Sequence, residues 1–199
     1  MADEQVPAPP PRRQIKDSRQ LRALAHPLRL ALLQYLMAVG PRTASECAAE
    51  VGSSASNISW HLRHLAQYGL VEPTDATDQR ERPWRAAQVG LDFGTLSTDP
   101  ATMAEQDAYI AAGIAEEDQL TRRFLARRDT LDPEWLDTAR LDNYVLRATP
   151  QEVRELGERI SDLLRPYLAT VRDDPPEDAA LAYAGLRLFP RLDAAGRTE

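Results

Sequence analysis

Cysteine is nearly absent. Cys47 is the only one in 199 residues, so no disulfide framework can close within one chain and no multi-cysteine metal site can be built. Histidine is almost as scarce: His26, His61 and His64 all fall in the first third of the chain, which excludes an imidazole metal site from the C-terminal half. No apolar run approaches the ~18 residues a membrane span requires. The N-terminal stretch MADEQVPAPPPRRQ lacks the apolar centre of a signal peptide. A soluble, cytoplasmic chain without membrane association is expected. There is no glycine-rich phosphate loop and no serine in a nucleophile elbow. The carboxylates between residues 99 and 178 fall on faces that read as solvated, so neither catalysis nor a bound cofactor is expected.

Negative charge is missing from one place in particular. The chain carries a net charge of -7, yet residues 56–71, SNISWHLRHLAQYGLV, hold no acidic side chain. Residues 1–90 contain 11 basic and 9 acidic residues, against 13 and 22 in residues 91–199, and within residues 11–30 the count is 6 to 1. An acidic protein can therefore still present a locally basic face, one suited to a polyanion.

The chain reads as a flexible tail over residues 1–15, a folded unit over 16–90 and a second region over 91–199. DSRQLRALA (17–25) starts on a possible cap, Asp17, and puts Leu21 and Leu24 on one face. In HPLRLALLQYLMAVG (26–40), Pro27 suits a first helical turn, Leu28, Leu32 and Leu36 recur at helical spacing, and Gly40 can end the helix. Thr43 with Glu46 three residues on is a capping box, and Gly52 closes a two-turn helix whose Ala44, Cys47, Ala48 and Val51 share a face. Ser54 then caps a second helix with Ile58, Leu62 and Leu65 as its inward stripe and Gly69 as its stop. LVEP (70–73) and PWRAA (83–87) flank the polar loop TDATDQRER and read as a hairpin, with Trp84 inward and Arg85 outward. Two short helices, a tight turn and a hairpin make a winged helix-turn-helix, whose second helix suits a major groove.

With Ile58, Leu62 and Leu65 pointing inward, Ser56, Asn57, Ser59, Trp60, His61, Arg63 and His64 are left outside. Arginine can bridge guanine O6 and N7, asparagine can pair with adenine, serine and histidine reach phosphates or base edges, and tryptophan can lie on a sugar or a thymine methyl. His64 has inward packing as its alternative, and Trp60 has packing on a neighbouring helix.

LRALAHPLRLALLQYL, TASECAAEVGSSASNISWHLRHLAQYGLVEP and RERPWRAA together resemble the ArsR family of winged-helix transcriptional regulators, over about residues 17–90. The resemblance implies a homodimer on a two-fold symmetric site in double-stranded DNA, more readily a repressor than an activator. It places Ser54, Ser56, Asn57, Trp60, His61 and Arg63 on the groove-facing helix and Arg80 and Arg82 on the wing. With Thr43 and His64, these make the candidate DNA-contact set. Three acidic residues interrupt the two arginines of DATDQRER, a mixture that confines wing contacts to Arg80, Arg82 and at most Arg85. The chain departs from the family's metal-sensing patterns, since Cys47 has no nearby partner and no histidine follows residue 64; no metal site is expected.

The second region reads as a long helix from Asp99 and Pro100 to about residue 130 and a short one at Pro133. A strand at NYVLRA (143–148) precedes a helix capped by TPQE, which Pro166 ends, and ALAYAGLRLFP reads as a second strand. The expected fold is thus mainly α with small β: an N-terminal winged helix-turn-helix, a long helix and a small α+β C-terminal region. The 17–25 helix and the long helix are candidates for dimerisation. Trp135, Tyr144, Tyr167, Tyr183 and Phe189 suit either the core of that appendage or a pocket for a small organic effector. A competing reading is a protein-interaction or ligand-binding module whose winged helix does not touch DNA, supported by the weak basic excess of the first 90 residues.

Overall fold

The computed structural model describes residues 13–15, 18–74, 82–88, 91–92, 95–169, 171–172 and 174–198. The expected cap Asp17 and the hairpin tip with Arg80 lie outside them. The described elements are β1 (Arg13–Gln14), α1 (Ser18–Leu24), α2 (Pro27–Val39), α3 (Ala44–Val51), α4 (Ala55–Gln67), β2 (Val71–Pro73), β3 (Trp84–Ala86), β4 (Leu91–Asp92), α5 (Pro100–Arg127), α6 (Pro133–Asp137) and α7 (Pro150–Leu164).

Local chemistry accounts for the helix ends. Pro27 opens α2, where no backbone donor is needed. The Thr43 hydroxyl accepts from Glu46 N at 3.2 Å while the Glu46 carboxylate accepts from Thr43 N at 2.7 Å. The same reciprocal box, Thr149 with Glu152, starts α7. Gly52 stands at φ 68, the left-handed conformation that stops α3 and turns the chain into α4.

Four helices converge on one leucine-rich core. Leu24 of α1, Leu32, Leu33 and Leu36 of α2, Cys47 of α3, Ile58, Leu62 and Leu65 of α4, and Leu70 are all within 1 % of full burial. Each leucine-sized side chain so buried contributes about 1.5 to 3 kcal/mol relative to exposure. Ile15 joins this core although it closes the stretch read as tail, and β1 pairs in parallel with β4, Arg13 opposite Leu91. Antiparallel pairing of β2 with β3 sets Val71 against Ala86, Glu72 against Arg85 and Pro73 against Trp84. Trp84 packs on the core and Arg85 points out, as the alternation requires.

α5 lies across α1 and α2. Its buried Gln106 clamps the entering loop, accepting from Ser97 N at 2.8 Å and donating to Thr95 O at 3.1 Å. The apolar face of α1 is consumed within the chain, where Leu21 and Leu24 are buried. On the opposite side of α5, Met103, Ile114 and Leu125 remain exposed. Their spacing of eleven residues keeps them on one stripe of the helix.

Beyond α5 the expectation of a small α+β unit is not met. Neither 143–148 nor 180–190 forms a strand, and neither makes a backbone–backbone hydrogen bond among the described residues. A strand needs a ladder partner, and no described backbone group is hydrogen-bonded to either segment. The inner face expected on α7 is only partly covered: Val153, Leu156 and Ile160 are half-buried, while Leu163 and Tyr167 are 73% and 69% exposed. Among the described residues no helix is long and apolar enough to cross a membrane.

Candidate nucleic-acid interface

The turn between α3 and α4 is held from both sides. Ser53 N donates to Ala48 O at 3.0 Å, and Asn57 Nδ2 donates to Ser53 Oγ at 3.0 Å. Ser54 Oγ accepts from Asn57 N at 3.3 Å, so the first turn of α4 is capped by its own side chains. A helix fixed in this way presents its outer face with little conformational freedom.

That face carries Ser54, Ser56, Asn57, Trp60, Arg63 and Gln67, all exposed, with Ser59 and His64 half-buried beside them. Ser56, Trp60, Arg63 and Gln67 recur at i, i+4, i+7 and i+11 and so line one side. The Arg63 guanidinium makes no hydrogen bond or ion pair with any described residue, leaving its five donors for a ligand. Trp60 is 53% exposed, and its ring contacts among the described residues are with its own helix. It stacks on His64, one turn later, with ring centroids 5.6 Å apart and planes within 9°. His64 in turn meets the edge of Tyr68 at 5.3 Å. Burial holds the His64 imidazole below its usual pKa, and Arg29 adds to the effect.

His61 is a correction. Expected on the outer face, it is buried to 5 % and lies against His26, the residue before α2, at a centroid distance of 5.0 Å. Position 61 falls at the edge of the stripe formed by Ile58, Leu62 and Leu65, and the packing of α4 on the start of α2 turns it inward. Its Nδ1 and that of His26 are buried with no hydrogen-bond partner among the described residues. Burial, then the neighbouring His26 and Arg29, lowers the pKa of His61; burial and then Arg29 lower that of His26. Both rings are therefore neutral near pH 7. His61 braces Trp60 edge-on from below at 4.8 Å and does not face outward itself.

Thr43 sits at the start of α3 with its hydroxyl engaged by Glu46, accepting at 3.2 Å and donating at 2.8 Å. Its local role is the cap. On the hairpin, Arg82 is exposed, while Arg85 is bound to Glu72 at 2.6 Å and is neutralised there. Arg80 lies outside the described residues. Sequence reasoning missed Arg42, whose backbone pairs both ways with Trp84 at 2.9 and 2.7 Å and ties the entry of α3 to the wing. The signal available was an arginine one position before a capping box, which says nothing about cross-strand pairing.

Cys47 is fully buried, and its thiol is pushed up to about 11, chiefly by burial. Thiolate is the form that binds soft metals, so this side chain is a poor donor. Among the described residues no group of three or more His, Cys, Asp or Glu is placed to hold a metal ion. The five aromatic residues read as core or pocket, Trp135, Tyr144, Tyr167, Tyr183 and Phe189, are all more than 40 % exposed. They form neither in the single chain. A shallow groove of about 470 Å³ between α7 and the 186–188 segment is lined by other residues, Arg154, Glu158, Asp162, Leu186 and Leu188 among them.

Comparison with known proteins places this geometry. The model of a helix-turn-helix domain family matches residues 24–74, which span α2, α3, α4 and β2. A probable mercury resistance operon repressor of Streptomyces lividans is 44% identical over 54 residues, 27% of this chain and 42% of the relative. The chain thus spans less than half the length of that curated relative. Among solved structures, a double mutant of Lactococcus lactis ZitR in apo form aligns with 75% of this chain and 88% of its own at 17% identity, TM-score 0.30. A cysteine-to-serine mutant of the same protein aligns over 83% and 86% at 15% identity, TM-score 0.25.

Proposed function

From a chain whose residues 24–74 form a helix-turn-helix domain of ArsR type, we propose a homodimeric, sequence-specific regulator of transcription that acts as a repressor on double-stranded DNA. α4 enters the major groove. Arg63 and Asn57 read base edges, Ser54 and Ser56 meet phosphate, and Trp60 lies along a sugar or a thymine methyl. Arg82 of the wing approaches the flanking backbone.

The observation that carries this reading is the outer face of α4: acid-free, capped at its N-terminus, packed on a rigid core and headed by an arginine with no partner inside the described chain. A second copy is required because one such helix covers only a half-site, and half-sites one helical turn apart are read by two-fold related helices. The exposed stripe of Met103, Ile114 and Leu125 on α5 is suited to that contact. α1 is not, since its apolar face is already used.

The S. lividans relative bears a name that points to mercury. For this chain the buried, high-pKa Cys47 argues against a thiolate sensor, and the proposed signal is a small organic effector in the region after residue 91.

Selection of genomic fragments by the purified protein, followed by a salt titration of the best fragment, tests the reading. A two-fold symmetric site bound with steep salt dependence is expected, because neutralised phosphates release counterions. Absence of enrichment at low salt would favour the protein-interaction module.

A further inference from the structure

Arg123 of α5 reaches from its own helix to the carbonyl end of α3. Its Nη1 donates to Glu50 O at 3.1 Å, across 73 positions of sequence. The last four carbonyls of a helix have no partner within it. In α3, Ala48 O is served by the Gly52 and Ser53 amides and Glu50 O by this guanidinium, which also meets the negative end of the helix dipole. Ser54, the cap of α4, follows four residues after Glu50. Arg123 therefore grips the chain where it turns into the reading helix.

The grip is itself anchored. Arg123 Nη2 lies 3.6 Å from Glu116 Oε1, two helical turns back on the same face. The Glu116 side chain is 6% exposed, and a carboxylate so enclosed depends on a cation beside it. Burial pushes the Glu116 carboxyl above its ordinary pKa; Arg123 pulls it back and Glu50 pushes it further up.

The C-terminal segment closes on the same part of α5. Tyr183 stands near enough to Glu116 for its charge, after burial, to raise the phenol. Arg187 pairs with Glu117. Between them Gly185 comes so close that an added Cβ would overlap the Glu117 carboxylate and stand 3.3 Å from the Tyr183 ring. Gly185 has no positive φ, so the missing Cβ serves this close approach and not a left-handed turn. The contacts form one path: residues 183–187 on Glu116 and Glu117, Glu116 on Arg123, and Arg123 on Glu50. Apart from Glu50, every member lies beyond residues 24–74, the helix-turn-helix match.

We propose that Arg123 is a positioning residue for α4 and that residues 183–187 are its latch: seated on Glu116 and Glu117 they hold Arg123 on the end of α3, and lifted from α5 they release it and weaken operator binding. The inference rests on the DNA reading above and adds the regulation of that site. A preorganised helix binds more tightly because less ordering is left to the complex. An effector that displaces the segment thus acts on α4 without touching it.

Arg123→Ala, Gly185→Ala and the double variant test it, with Arg122→Ala as control because Arg122 pairs with Asp118 on an exposed side of the same helix. Neither Arg123 nor Gly185 is buried, so helical content and melting should match wild type. Amide hydrogen exchange without DNA reads the turn, and fluorescence anisotropy on a selected operator reads affinity. Each single variant should speed exchange at Ser53 and Asn57 and weaken operator binding by about 2- to 30-fold. The double variant should be no weaker than the worse single, because both break one path. Arg122→Ala should behave as wild type. Unchanged exchange in Arg123→Ala overturns the inference, as do equal effects in Arg122→Ala. A silent Gly185→Ala, or losses that add in the double variant, overturns the latch by showing that Arg123 caps α3 independently of the segment. Failure of the DNA reading looks different: wild type shows no salt-dependent DNA binding, and exchange at the turn then decides on the latch by itself.

Discussion

The imidazoles of His26 and His61 lie 5.0 Å apart beneath the outer face of α4, each with a buried Nδ1 that has no hydrogen-bond partner among the described residues. One belongs to the residue that starts α2 and the other to the helix proposed to read DNA, so their contact joins the core to the reading surface. Both are favoured in the neutral form, because burial lowers their pKa and Arg29 stands nearby.

That pair makes stability depend on pH. The folded pKa of each ring lies below the unfolded value of about 6.5, so the unfolded chain binds more protons as pH falls and stability drops with it. Their contribution is complete above about pH 6.5 and is lost as pH descends toward their folded values. Glu116, raised by burial, titrates with the opposite sign. Urea denaturation at pH 7.5 and 5.5 should show lower stability at the acid end, and His61→Phe should reduce the difference. An unchanged difference would mean that the His61 ring is not held neutral by the fold.

Arg63 and Arg85 separate reading from mere charge. Arg63→Ala should cost about 1 to 3 kcal/mol of specific DNA binding. Arg85→Ala, which removes a side chain already paired with Glu72, should cost under about 0.5 kcal/mol, within the usual range of a surface change. Fluorescence anisotropy on one selected operator measures both, and equal losses would contradict the assignment of Arg63 as a base reader.

Thr43→Ala distinguishes a cap from a contact. Loss of the reciprocal bonds with Glu46 should lower unfolding free energy by about 1 kcal/mol. Operator affinity, measured well below the melting temperature, should hardly change. A selective loss of affinity would restore Thr43 to the contact set.

Cys47 should be silent in the native state. Its thiol is buried and pushed up to about 11, so modification by a thiol reagent at pH 8 should be slow and should accelerate sharply in denaturant. Rapid native labelling would show that the α3 face opens, and would return the thiol to consideration as a sensor.

Leu62→Ala should destabilise the folded domain by about 2 to 5 kcal/mol, the range for a fully buried leucine that leaves a cavity. Calorimetry or urea melts would register it. A smaller loss would indicate that α2 and α4 collapse around the gap.

The elements of residues 18–88 were legible because their signals are local. The capping box at Thr43, Pro27 at a first turn and a left-handed Gly52 each act within four residues, and the leucine spacing of α2 and α4 states which faces meet. Local signals do not say which way a residue at the edge of the stripe turns. His61 stood one position from Leu62 and was decided by the arrival of His26 from another helix. The strands expected at 143–148 and 180–190 failed for a related reason: alternation makes a segment fit for a sheet, but a ladder exists only where a second backbone comes alongside. By itself, then, the sequence determined the helix-turn-helix, its caps, its core and the acid-free character of α4. Only the tertiary structure decided that α1 spends its apolar face on α5, that His61 is buried while Arg63 finds no partner among the described residues, and that no described residue after Glu116 is buried. Those outcomes depend on contacts between residues far apart in the chain, which no local spacing encodes.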